Sequence, residues 1–114
     1  SVGAYVKDGF VILFDSGLDK ATAQGLDKEL IKKGLKVVAI INTHHHVDHC
    51  GGNNYFQQKY KDIKIYSTSW EKPFIEQPYL EPLCFCGGAE PFSGLRNKHI
   101  EADPSIVTDL ISPY

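Results

Sequence analysis

The chain has 114 residues, room for one domain and too few for two of ordinary size. Hydrophobic residues at 42% and charged residues at 23% are globular proportions, so a packed core is expected and a disordered or fibrous chain is not. A formal net charge of −2 without a basic block or stripe gives no footing for nucleic acid or an anionic membrane, and no apolar run approaches the roughly 20 residues of a bilayer span.

The three cysteines, Cys50, Cys84 and Cys86, are too few and too odd in number for a disulfide scaffold, which points to a reduced chain. The N-terminal residues Ser1 to Val6 lack both the basic n-region and the apolar h-region of a secretory leader, and the sequence does not begin with Met. A soluble cytoplasmic protein is expected.

In chain order, Ala4–Lys7 and Phe10–Phe14 flank Asp8-Gly9, a dipeptide that supplies the two positive-φ residues of a tight hairpin. The second strand is apolar at consecutive positions, which predicts that both of its faces are covered. After Asp15-Ser16-Gly17 a helix is expected, with Asp19 as N-cap and Gly34 as terminator. Ala23, Leu26, Leu30 and Ile31 would form its apolar stripe. Val37–Ile41 reads as a buried strand, so that strand, helix and strand make a βαβ-like element. Beyond the histidine cluster, a short helix is expected from Asn53 to Tyr60 and a strand at Ile63–Ser67. From Trp70 onwards, prolines punctuate an irregular or helical excursion, with short helices at 94–102 and 105–110. The expected organisation is one partial domain: residues 1–69 as the sheet and helix core with the loop, residues 70–114 as the Pro-rich excursion.

The chemistry is concentrated in His44-His45-His46-Val47-Asp48-His49, directly after the buried strand. In extended backbone, side chains at i and i+2 point the same way, so His44 and His46 converge while His45 points elsewhere. Gly51-Gly52 signals a turn that returns Asp48 and His49 to the same cavity. Imidazole suits zinc, iron or manganese, and Asp48 adds a hard oxygen. So short a loop does not easily give four ligands to one ion. Two ions can share them, with His44 and His46 beginning one site and Asp48 and His49 the other. Such a pair, about 3.5–4 Å apart, can lower the pKa of a shared water and clamp a hydrolytic transition state. A chance run of histidines would have no reason to follow a buried strand and precede Asp-His-Cys-Gly-Gly.

The segment Thr43-His44-His45-His46-Val47-Asp48-His49 resembles the T-H-x-H-x-D-H motif of the metallo-β-lactamase superfamily. Asp15-Ser16-Gly17 is similar to that family's D-[ST]-G turn, and Gly51-Gly52-Asn53 to the residues just after its metal loop. The resemblance implies an α/β fold, namely half of an αββα sandwich built from a mixed sheet with flanking helices. It also implies His44 and His46 as ligands of metal one, and Asp48 and His49 as ligands of metal two. Asp15 would support the loop as a hydrogen-bond partner of the ligands, and Asp48 would assist proton transfer as a catalytic residue. The implied cofactor is zinc, two ions in a complete domain, with iron or manganese as alternatives. The implied reaction is attack by metal-activated hydroxide on an ester, thioester, lactam or phosphoester of a small-molecule substrate.

The sequence also departs from the family. The later Gly-His motif, the bridging aspartate and the final histidine are not visible. His99 lies outside any such motif and reads as a surface or helix residue, and Asp103 and Asp109 have no motif context. Cys50 reads as a small buried thiol, and Cys84 and Cys86 lack histidines at zinc-site spacing. Trp70, Phe74, Tyr79, Phe85 and Phe92 suit packing of the excursion, or else a substrate entrance. A second hypothesis is therefore a non-catalytic assembly half with an incomplete metal site, completed by self-association or by the missing half-domain. A third is an iron-dependent oxidoreductase akin to the superfamily's sulfur dioxygenases.

Overall fold

The computed structural model describes residues 2–44, 46–85 and 101–112. Five strands form one mixed sheet in the order β1-β2-β3-β4-β5: β1 (Gly3–Lys7), β2 (Phe10–Phe14), β3 (Lys36–Ile41), β4 (Lys64–Ser67) and β5 (Asp109–Leu110). The β1–β2 pair is antiparallel, in the register Lys7↔Phe10, and every other pair is parallel. Asp8 and Gly9 take φ of 52° and 82° at the hairpin turn, the left-handed values that the Asp-Gly signal predicts.

Helix α1 (Lys20–Lys32) crosses from β2 to β3. Asp19 caps it by accepting from the Thr22 amide at 2.9 Å, and Lys32 suits the negative end of the helix dipole. At the other end Gly34 (φ 73°) allows the Gly34 amide to reach the Ile31 carbonyl and the Leu35 amide to reach that of Leu30, a Schellman closure. The β3–β4 connection holds α2 (Val47–Cys50) and α3 (Asn53–Lys59); α4 (Lys72–Glu76) and α5 (Leu80–Phe85) come after β4. Among the described residues, no helix is long and apolar enough to cross a membrane.

Strand alternation, together with a register shift between the Val11–Val37 and Ile12–Ala39 pairs, sends Val11 and Leu13 of β2, Val37 and Ile40 of β3, and Ile65 of β4 to one face of the sheet. There they pack with Ala23 and Leu30 of α1 and Phe56 of α3 in a single core. The other face differs from the expectation for β2: Phe10 is 53% exposed and Phe14 41%. The continuous apolar run is therefore buried on one side only. Ile31 likewise lies at the edge of the helical stripe and is exposed. Residues 105–110 are a second correction. Thr108 bonds back to Ile65 through its amide and its hydroxyl, and this pairing draws the segment into β5 instead of a helix. The helix expected at 94–102 lies almost wholly outside the described residues.

One buried charge ties the helical layer together. Asp27 of α1 accepts from the Tyr55 hydroxyl (2.8 Å), the Tyr60 hydroxyl (2.7 Å) and the Lys59 ammonium. Burial alone would raise its pKa, but hydrogen bonds from Lys59, Tyr60 and Tyr55 outweigh burial and hold the carboxyl below its usual value. A depressed folded pKa adds stability above the unfolded value of about 3.9, which is lost as pH falls through the folded one. Asp27→Asn should therefore lower stability by about 1.5–3 kcal/mol near pH 7, with the gap closing in strong acid. Urea unfolding across that range checks this; a gap independent of pH would contradict it.

Candidate metal centre

The histidine loop lies at the carboxyl ends of the parallel strands, where open α/β sheets form their crevices. Asp15 directly follows β2, and Asn42, Thr43 and His44 follow β3. The Asp15 amide donates to the Ile41 carbonyl at 2.9 Å, and the Asn42 amide to the Tyr66 carbonyl at 2.9 Å, so the sheet ladder runs on into both loops. His46 then starts the single turn of α2, with the His49 amide donating to its carbonyl at 2.9 Å.

Asp15 organises this loop. Its Oδ1 accepts from the Thr43 amide (2.7 Å), and its Oδ2 from the Thr43 hydroxyl (2.7 Å) and from His49 Nδ1 (2.8 Å). A carboxylate can only accept, so neutral His49 carries its proton on Nδ1 and turns the lone pair of Nε2 towards Asp48, two acceptors facing each other as they would across a cation. The Thr43 hydroxyl has one proton and gives it to Asp15. It must then accept from His44 Nδ1, 3.1 Å away, which leaves the Nε2 lone pair of His44 available as well. Asp15 thus fixes the tautomer of His49 directly and that of His44 through Thr43.

The three described rings are gathered closely. The His44 centroid lies 4.8 Å from that of His46 and 3.9 Å from that of His49, and Asp48 Oδ2 is 3.3 Å from His49 Nε2. Burial lowers the His44 pKa, and the neighbouring His49 and His46 lower it further, so neutral imidazole, the form that binds metal, is favoured. The expected convergence of His44 with His46, and the return of Asp48 and His49, are both present. His45 and His99 lie outside the described residues, as do Cys86 and Phe92. Cys50 is buried against Ile75 and Val107, and burial above all pushes its thiol up to about 12, so it remains a packed thiol. Cys84 is exposed, and Trp70 is 77% exposed.

Imidazole nitrogens with oriented lone pairs beside a carboxylate are the donor set that zinc takes. His44, His46, Asp48 and His49 fit the role by chemistry. Among the described residues, however, no three His, Cys, Asp or Glu side chains are arranged to close around one ion.

A second layer, which sequence reasoning missed, holds the loop from behind. Asn42 and Asn53 are buried and exchange amide hydrogen bonds, Asn53 Nδ2 donating to Asn42 Oδ1 at 2.6 Å. Ser16 donates to Asn53 Oδ1 at 2.6 Å, and the His49 carbonyl accepts from both the Ser16 amide and Asn42 Nδ2. The only cue to this layer was the placement of Ser16 and Asn53 inside the two turn segments. The glycines complete it. A Cβ on Gly51 would lie 1.7 Å from the Leu18 carbonyl oxygen, and one on Gly52 2.2 Å from that of Ser16.

These features define a chain with half of a mixed α/β sandwich and a histidine–aspartate loop at its strand ends. The chain belongs to the metallo-β-lactamase superfamily, whose family model matches residues 1–83. It is 37% identical over 70 residues to a hydroxyacylglutathione hydrolase of Gloeobacter violaceus, covering 55% of this chain and 28% of that protein. The hydroxyacylglutathione hydrolase of Crocosphaera subtropica is 34% identical over 83 residues, covering 71% of this chain and 31% of its own length. The chain thus spans less than a third of these relatives. Among solved structures, BJP-1, a subclass B3 metallo-β-lactamase of Bradyrhizobium japonicum, superposes with a TM-score of 0.73 at 22% identity, over 97% of this chain and 38% of its own.

Because backbone oxygens stand where the new methyl would go, Gly51→Ala should cost about 1–3 kcal/mol or more, as overpacking does. Thermal unfolding reads this directly, with Gly25→Ala, whose Cβ would meet nothing within 4 Å, as the control expected to cost nothing.

Proposed function

We propose that this chain is the metal-loop half of a metal-dependent hydrolase acting on a thioester of the hydroxyacylglutathione class, with zinc as the metal. The observation that carries this is the Asp15 network, which orients His44 and His49 with their Nε2 lone pairs available beside His46 and Asp48. The names of the sequence relatives support the substrate class. In this reading His44 and His46 hold one ion, and Asp48 and His49 the other. Bound zinc would activate water and polarise the scissile carbonyl. The chain's own part is to present imidazole nitrogens and to keep Asp48, 60% exposed, beside His49 as a proton acceptor or donor. A relative in Arabidopsis thaliana is named as cytoplasmic, which supports the same location here.

A second reading is favoured by a specific observation. The exposed Tyr5, Phe10 and Phe14 lie on one face of the sheet, and the described ligands fall short of a closed shell. On this reading the chain is an assembly half, completed by a second copy or by a complementary half-domain.

Elemental analysis together with the mass in solution separates the two. About two zinc ions per chain, with hydrolysis of an S-acylglutathione, is the outcome expected of the first reading. A metal-free dimer would overturn it for this chain, and iron with oxygen consumption would favour an oxidoreductase. His46→Ala should lower metal occupancy more than His45→Ala, and equal losses would refute the alternation of the two side chains.

A further inference from the structure

Asp15 reaches His44 and His49, but it does not reach His46. Glu81 lies beside His46, its Oε1 3.7 Å from His46 Nε2. We propose that Glu81 is a positioning residue for His46: its carboxylate accepts a hydrogen bond from the Nε2–H of the ring, which leaves Nδ1 as the atom that His46 offers to metal. The proposal rests on the metal-binding reading above.

The placement of Glu81 is not that of an idle surface charge. Its side chain is 16% exposed, whereas that of His46 is 58% exposed, so the carboxylate is the better fixed of the two. Glu81 sits in the first turn of α5, between the amide bonds of Glu81 to Pro78 and of Leu83 to Tyr79, and the adjacent Pro82 is buried. The preceding α4 is anchored in turn. Ile75 packs on Cys50 of α2 and on Val107, and the Glu76 carboxylate accepts from the Val107 amide at 2.9 Å. The α4–α5 segment is therefore held against the helix that begins at His46.

At 3.7 Å the pair is not yet a hydrogen bond. Closing the remaining half ångström or so is a small ring rotation, of the kind that loose polar contacts make when a site fills. An exposed ion pair with no further role would be worth little and would leave metal binding untouched. The chemistry expected of Glu81 is instead that of the carboxylate–histidine–metal arrangement, in which the outer carboxylate fixes ring orientation and raises ligand basicity.

The test is competition for Zn2+ against a chromophoric chelator, with the visible spectrum of the Co2+-substituted chain as a second readout. The full chain would be measured as wild type, Glu81→Ala, Glu81→Gln and Glu71→Ala. Glu71 serves as the charge control, since its carboxylate and that of Glu81 both act on Cys50. Glu81→Ala is expected to weaken zinc about tenfold to a hundredfold and to alter the Co2+ band. Glu81→Gln, which keeps an accepting oxygen, should lose less, and Glu71→Ala nothing. Wild-type affinity in Glu81→Ala, or equal losses in Glu81→Ala and Glu71→Ala, would overturn the role of Glu81 while leaving the metal-binding reading standing. If Glu81→Ala does not fold, Glu81→Gln decides, and an unchanged spectrum and affinity there would overturn the proposal. A wild-type chain that binds no zinc would overturn both.

Discussion

The carboxylate of Asp15 is the constraint on which the rest of the site depends. It is buried, sits at the end of β2 and accepts three hydrogen bonds from residues 28 and 34 positions further along. Its backbone lies at φ 68°, a left-handed conformation that costs a side-chain-bearing residue about 1–3 kcal/mol. Hydrogen bonds to a charged acceptor contribute about 1.5–3 kcal/mol each, so three of them outweigh that strain. The strain in turn aims the carboxylate across the strand ends. Position, charge and tautomer control therefore come from one residue.

The sheet explains why the site can be organised by so short a stretch of chain. β2, β3 and β4 run parallel, so their carboxyl ends meet on one edge, and the loops beyond them are neighbours without any long connection. The buried face under α1 and α3 makes this edge rigid, with Phe56, Leu13, Ile40 and Ile65 among the largest fully buried side chains. The opposite face carries Phe10, Ile12 and Phe14 in the pattern of a sheet that packs on something further. In the superfamily to which the chain belongs, the solved relatives have more than twice its length.

Much of this was legible in the sequence because local rules decided it. The Asp8-Gly9 turn, the Asp19 cap and the Gly34 closure each depend on the φ or side chain of one or two residues, and each formed as expected. The approach of His44 to His46 and to His49 was expected from their close spacing in the sequence, and the rings do meet. The rest depended on distant partners. Ser16, Asn42 and Asn53 are ordinary loop polar residues until the fold places them together. Glu81 stands in a Pro-rich stretch with no periodic cue, and β5 exists only because Thr108 finds Ile65. The open face of β2 was invisible for a different reason, since apolar composition does not say what lies above it.

The two glycines after the histidine loop carry a mechanical consequence. Because Gly51 and Gly52 are pressed onto the backbone oxygens of Leu18 and Ser16, the loop after β2 and the loop after β3 have no slack between them. They must travel as one piece, and that piece is welded to the sheet edge by the Asp15 and Asn42 amides. A displacement of one loop is passed straight to the other through backbone, whereas α4 meets α2 through side chains, Ile75 packing on Cys50.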